Sequence, residues 1–274
     1  MIVGIDIGGT TTDIVGLKDG SIINPISVKA DDPITAAAGA LGKLLDSLNL
    51  PLSNVKMIAA TGVGSSFINS KLLDIPVTKV NEFTSIGTGG SFLTNIHKGI
   101  VVSMGTGTAI VQVDDNDISH WGGCGIGGGT LIGLSKKILN ISNINILLEK
   151  ASTGSLDKVD LTVQDIAGGP IDHLPGSLTA SNFGKLSDDA SDEDIALAII
   201  NLVCQTIGVL AISAARATGY INIILIGKLA SIPYVKSIII DVGDLLGMKF
   251  YIPEYADYAT AIGAAITVDR NITT

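Results

Sequence analysis

Two short stretches carry the residue types that could hold a phosphate. Gly8, Gly9, Thr10 and Thr11 follow an apolar run that contains Asp6. Gly105, Thr106, Gly107 and Thr108 follow a second apolar run roughly a hundred residues later. Glycine at these places lets backbone N–H groups approach an anion where a Cβ would block them. The threonines add hydroxyl donors. Asp6 is the carboxylate suited to hold the water shell of Mg²⁺, an ion that takes few direct protein ligands. One such turn reads equally well as an ordinary glycine hairpin. Two turns of the same design read as a clamp for a magnesium-bound nucleotide such as ATP. Neither carries the Lys-Ser/Thr that a Walker loop requires. The later run GIGGG (125–129) has no βαβ unit before it, so it is not a dinucleotide fingerprint.

The elements around these turns repeat. IVGIDI, TTDIVGL and SIINPISVK alternate with turn residues and predict a three-stranded meander. GIVVSMGTGTAIVQVDDNDISHW restarts that pattern near Gly99. This predicts an internal duplication, one meander per lobe, with a boundary near residue 98: residues 1–98 form one lobe and 99–274 the other. Asp32-Pro33 opens a helix, VKMIAATG and IPVTKV are strands, and NEFTSIGTGG starts a helix or a loop entering one. GGCGIGGGTLIGLSK is a glycine loop running into a helix. A polar stretch with a long loop follows, then a long apolar helix at about 191–218. Strand and helix alternate to the end. The class is α/β.

Composition narrows the functions. The chain has 274 residues, 46% apolar and only 16% charged, with a net charge of −9. That is a well-buried globular chain long enough for two lobes. No lysine or arginine run exists, which argues against nucleic acid as a partner. Cys124 and Cys204 lie far apart, so a disulfide scaffold is not expected and a reducing cytoplasm fits. No basic segment followed by a long apolar stretch opens the chain, so a signal peptide is not expected. The apolar helix is interrupted by Asn201, Gln205 and Ser213 and flanked by charge, which favours a core helix over a membrane span.

DIGGTTTD, SMGTGT and LIGKLASIP resemble the phosphate 1, phosphate 2 and adenosine segments of the actin, sugar kinase and heat-shock ATPase superfamily. More narrowly, VNEF (80–83), MGTGTAIV (104–111), GGCGIGGGTLIGLSK (122–136), GSLTASNFGK (176–185) and AIGAA (261–265) resemble type II pantothenate kinases, in order and from end to end. The resemblance implies a two-lobed actin-like ATPase fold of the ribonuclease H-like kind. It implies an ATP-dependent pantothenate kinase, a homodimer built on the long helix and acting in the cytoplasm. Glu82 matches the family's general base toward the acceptor hydroxyl, against the plainer reading of a helix-start charge. Gly127, Gly128, Gly129 and Thr130 match the segment along the nucleotide phosphates, its helix N-terminus aimed at them. Gly227 falls in the adenosine segment. Thr179, Ala180 and Asn182 match the loop that closes over pantothenate.

Two positions depart from that pattern. Asp13 stands where the family usually has lysine; it would repel phosphate unless it points away or binds metal, or it is a solvent-facing strand carboxylate. His120 stands where the family has arginine, and a neutral imidazole cannot grip a carboxylate with two prongs. It can still donate one hydrogen bond on the substrate side, or it is a surface residue at a strand end. His97 and His173 read as surface residues. Other readings stay open: a kinase of another small hydroxylated metabolite, an ATPase activator with an iron–sulfur cluster, or a nucleotide or coenzyme A sensor without turnover.

Overall fold

The computed structural model describes residues 1–29, 32–115, 117–172 and 174–273. Two mixed sheets form its frame. The first is built from β1 (Ile2–Ile7), β2 (Thr11–Lys18), β3 (Ser21–Lys29), β4 (Met57–Thr61), β5 (Lys71–Leu72) and β6 (Ile75–Lys79), in the order β3-β2-β1-β4-β6-β5. The second uses β7 (Lys98–Met104), β8 (Thr108–Asp114) and β9 (Asp117–Cys124). After a two-stranded ribbon of β10 (Leu161–Thr162) and β11 (Thr179–Ser181), it is completed by β12 (Asn222–Ile226) and β13 (Lys249–Tyr251), in the order β9-β8-β7-β12-β13. In each sheet an antiparallel meander is followed by parallel strands: β1 pairs β4 in parallel and β7 pairs β12 in parallel. The duplicated meander is therefore present in the fold.

Strand alternation sends side chains to both faces, and helices cover both. Helix α1 (Pro33–Ser47), capped by the Asp32 carboxylate, packs Ala37, Leu41 and Leu44 onto Val3, Ile5, Ile7 and Ile14. The closing helix α8 (Ala259–Thr273) covers the other face, with Ala261, Ala264 and Ala265 against Ile2, Val15, Leu17 and Ala59. Over the second sheet, α2 (Glu82–Thr94) places Ile86 on Val101, Val111 and Ile224. The opposite face receives α6 (Asp192–Thr218), whose Ile199, Val203 and Ile207 meet Ile100, Val102 and Ile223. So α6, long and apolar enough by composition to cross a membrane, has most of its apolar residues in a protein core. Four further helices lie among the described residues: α3 (Gly128–Leu139), α4 (Ile144–Ala151), α5 (Val163–Ala167) and α7 (Pro233–Leu246), the last packed against α6.

The first sheet is drawn from residues 2–79 and the second from 98–251, yet α8, last in the chain, lies on the first sheet. There it crosses α2 at very close range. A Cβ on Gly263 would run into the Ser85 carbonyl, and one on Gly89 into the Ala259 carbonyl. GTGG and AIGAA are thus small because two backbones touch.

Candidate active site

The two Gly/Thr turns face each other across the gap between the sheets, and their tips meet: the Thr10 and Thr106 hydroxyls are 3.1 Å apart. The third glycine segment joins the second turn. The Gly128 N–H donates to the Gly105 carbonyl (2.8 Å) and the Gly129 N–H to the Thr106 carbonyl (2.9 Å). The Thr108 hydroxyl donates to the Ile126 carbonyl (2.7 Å), and Thr130 Oγ1 donates to the Gly125 carbonyl (2.9 Å) and accepts from the Gly127 N–H (3.3 Å). This differs from the expectation of a helix N-terminus open to an anion. The first amides of α3 are spent on the loop that they buttress. Gly8 likewise donates its N–H to the Thr11 carbonyl at 3.0 Å. Among the described residues, the amides of Gly9, Thr10, Thr106 and Gly107 have no acceptor. Orphan donors grouped this way suit phosphate oxygens. Gly227 supports the same loop from below; it holds φ +91°, and a Cβ there would lie 2.8 Å from the Met104 carbonyl.

Beneath the turns lies a group of charges. Asp6 and Asp13 are register partners on β1 and β2, and Asp6 also neighbours Thr61 on β4. The Thr61 hydroxyl accepts from Ser85 of α2 at 3.1 Å, which ties this floor to the first turns of that helix. Burial, then the nearby Asp13 and Glu82 carboxylates, push the Asp6 carboxyl up to about 7. Gly62, at φ +82°, leaves room for it, since a Cβ there would strike Asp6 Oδ1. No hydrogen bond reaches the Asp6 carboxylate among the described residues.

Asp13 is neither solvent-facing nor turned away from the site. It is 6% exposed and accepts a 2.6 Å hydrogen bond from the Lys228 ammonium. Lys228 lies in the quoted LIGKLASIP segment, but nothing in its sequence neighbourhood pairs it with position 13.

Glu82 is the first residue of α2, fixed there because Asn81 Oδ1 caps the Phe83 and Thr84 amides at 2.9 and 3.2 Å. Half-buried, it is pushed above the ordinary glutamate range by desolvation. Among the described residues no hydrogen bond or ion pair engages its carboxylate. His120, exposed on β9, stacks on the adjacent Phe83 with ring centroids 3.9 Å apart and planes 12° from parallel. The structure thus brings Asp6, Glu82, His120 and both turns to one end of α2.

Thr179, Ala180 and Asn182 form a separate group. Ala180 is exposed. The Thr179 hydroxyl and the Asn182 amide donate to the Asp160 carboxylate at 3.5 and 3.3 Å, beside the Phe183 N–H and Asn201 Nδ2 at 2.8 Å each. No hydrogen bond joins this loop to Glu82, His120 or either turn among the described residues. Asp160, fully buried, was not singled out by sequence reasoning: a lone aspartate in KVDLT carries no motif. His97 is exposed, with Nδ1 3.2 Å from the Ser91 hydroxyl; His173 lies outside the described residues.

Comparison with known proteins fits this geometry. The Fumble family model matches residues 94–267. A type II pantothenate kinase of Bacillus thuringiensis subsp. konkukian is 30% identical over 235 residues, covering 82% of each chain. The chain belongs to the type II pantothenate kinase family. Another member, from Staphylococcus haemolyticus, is 31% identical over 175 residues, 62% of this chain and 66% of that one. Solved structures show the same two-lobed actin-like ATPase fold. The activator of the 2-hydroxyisocaproyl-CoA dehydratase from Clostridium difficile, with bound ADPNP, superposes with a TM-score of 0.70 at 19% identity, over 99% of this chain and 95% of that one. A ROK family glucokinase from Streptomyces griseus, in complex with glucose and AMPPNP, gives 0.61 at 13% identity, over 97% and 98%.

Residues able to hold Mg²⁺ are few. Among the described residues no group of three or more His, Cys, Asp or Glu side chains is arranged to hold a metal ion. Asp6, short of positive charge, fits an ion carried in on phosphates and keeping its water shell, rather than a dedicated metal cage.

Proposed function

We propose that this chain transfers the γ-phosphoryl group of ATP to the hydroxyl of pantothenate, the first step of coenzyme A synthesis. The single observation that supports this most is Glu82: a carboxylate raised in pKa, free of polar partners, at the end of α2 where the phosphate turns converge, in a chain of this family. The free amides of Gly9, Thr10, Thr106 and Gly107 receive the phosphates, with Gly8, Thr11, Gly105, Thr108, Gly127, Gly128, Gly129, Thr130 and Gly227 shaping the loops. Asp6 would hold the water shell of Mg²⁺, which would supply neutralisation of the phosphate charge. Glu82 takes the hydroxyl proton as the acceptor oxygen bonds to the γ-phosphorus. The bond from that phosphorus to the β-phosphate oxygen breaks, and its electron pair leaves with ADP. His120, aligned by Phe83, is the residue placed to touch the acceptor. The loop of Thr179, Ala180 and Asn182 closes the acceptor side, and its seat on α6 agrees with a homodimer formed along that helix. We also keep the lobe boundary near residue 98, with α8 returning to the first lobe, and the cytoplasm as the place of action.

The activator reading is not favoured by the thiols. Cys204 is fully buried among apolar side chains, which push its thiol up to about 12, far from the thiolate that a cluster needs.

The test is ADP release with Mg-ATP, with and without pantothenate, on the wild type and Glu82→Gln. Pantothenate-dependent turnover that falls on the order of 10²- to 10⁴-fold in the variant, with nucleotide affinity kept, supports the assignment. ADP release indifferent to pantothenate would move the acceptor to pantetheine or another small alcohol. Nucleotide binding without product from any of them would leave the sensor reading.

A further inference from the structure

The backbone around Lys228 is fastened to the base of the second Gly/Thr turn. Gly227 donates to the Ala256 carbonyl at 2.8 Å and Leu229 to the Met104 carbonyl at 3.3 Å, and Met104 immediately precedes Gly105. The side chain then leaves the second sheet and crosses to the first. Its ammonium donates to Asp13 Oδ1 on β2 at 2.6 Å and to the Ser27 hydroxyl on β3 at 3.0 Å, and lies 5.1 Å from the centre of the Tyr258 ring. Lys228 therefore spans the gap directly below both phosphate turns.

Two features distinguish this contact from a bridge that merely ties two lobes. An ammonium has three donors, and two are engaged; the lysine side chain keeps 36% of its surface exposed while the Asp13 side chain keeps only 9%. One donor thus stays available on the open side. Among the described residues Lys228 is also the only cation that acts on Asp6, where Asp13 and Glu82 supply two further negative charges. A nucleotide polyphosphate brought to the amides of Gly9, Thr10, Thr106 and Gly107 would meet three carboxylates and one positive charge. Coulomb repulsion from such a floor is large at a few ångströms in a low-dielectric cleft.

We propose that Lys228 is a ligand of the nucleotide polyphosphate, held ready below the turns by Asp13, which acts as its positioning residue. The carboxylate at position 13 then aids phosphate binding through the lysine that it aims. This inference rests on the reading that the cleft takes a nucleotide.

The experiment compares Asp13→Asn with the double variant Asp13→Asn/Lys228→Met. Neither leaves a charged carboxylate at position 13 without its lysine, and the two differ only in the cation. Binding of the β,γ-imido analogue of ATP with Mg²⁺, and of adenosine, is measured by calorimetry on both and on the wild type. The expected result is at least a tenfold loss of the imido analogue on removing Lys228, less than twofold for adenosine, and recovery to within threefold with Lys228→Arg. Equal affinity of the two variants for the imido analogue, or an equal loss for adenosine, would overturn the assignment. A wild type that binds neither probe would overturn the nucleotide reading itself, and this inference with it.

Discussion

Asp160 is fully buried and Asp6 partly so, and the two aspartates are treated in opposite ways. Asp160 receives donors from the Phe183 backbone, Asn201, Asn182 and Thr179, all without formal charge. These hydrogen bonds offset its loss of water, so the side chain serves as a knot between the 178–184 loop and α6. Asp6 receives no such bond among the described residues, faces Asp13 and Glu82, and is pushed up to about 7. A buried carboxylate left short of partners is poor for stability and useful for a site, because an arriving cation or donor gains what the protein withheld. One aspartate holds the fold; the other is held by it for a ligand.

Three measurements can break or sharpen this contrast. Asp160→Ala has the largest expected effect. It strands several buried donors and should lower unfolding free energy by on the order of 3 kcal/mol in urea titrations. A loss below about 1 kcal/mol would mean that the knot is ornamental. Asp6→Asn should act with the reverse sign in the absence of ligands. Because the folded pKa is raised above the unfolded value, the carboxyl favours the fold below pH 4. That advantage is lost as pH rises through about 7. The apo wild type should therefore lose stability between about pH 4 and 7, and Asp6→Asn should flatten that slope and exceed the wild type by on the order of 2 kcal/mol at pH 8. Matching slopes would show that the cluster is better solvated than its geometry suggests. The smallest effect is Gln205→Ala, which removes a 3.3 Å bond to the Thr179 hydroxyl. Asn201 still reaches that hydroxyl at 3.4 Å, so about 0.5 to 1 kcal/mol is expected. A larger loss would place Gln205 inside the knot.

The parts of this architecture that are local could be read directly. Asp32-Pro33 announced α1 because a carboxylate cap and a fixed proline φ act within one turn. The two meanders were visible because alternation and Gly/Thr turns are short-range patterns. Glu82 was legible only through its resemblance to a family motif; its isolation from polar partners is a property of packing. No local pattern assigns Lys228 a role, since its partner Asp13 lies 215 residues away. Asp160 carries no signal in the sequence because its donors come from two segments distant from it, the 178–184 loop and α6. The expectation of free amides at Gly8, Gly128 and Gly129 failed for a related reason: carbonyls of nearby and distant turns had already taken them.

The sequence by itself determined the class, the duplicated meander, the glycine turns and the family, because each rests on residue type and spacing along the chain. The tertiary structure decided which amides remain free, which aspartate is satisfied, that α8 returns to the first sheet, and that a lysine from the turn after β12 answers the carboxylate at position 13. Those outcomes depend on the competition of charges and hydrogen-bond partners across space, which no local pattern encodes.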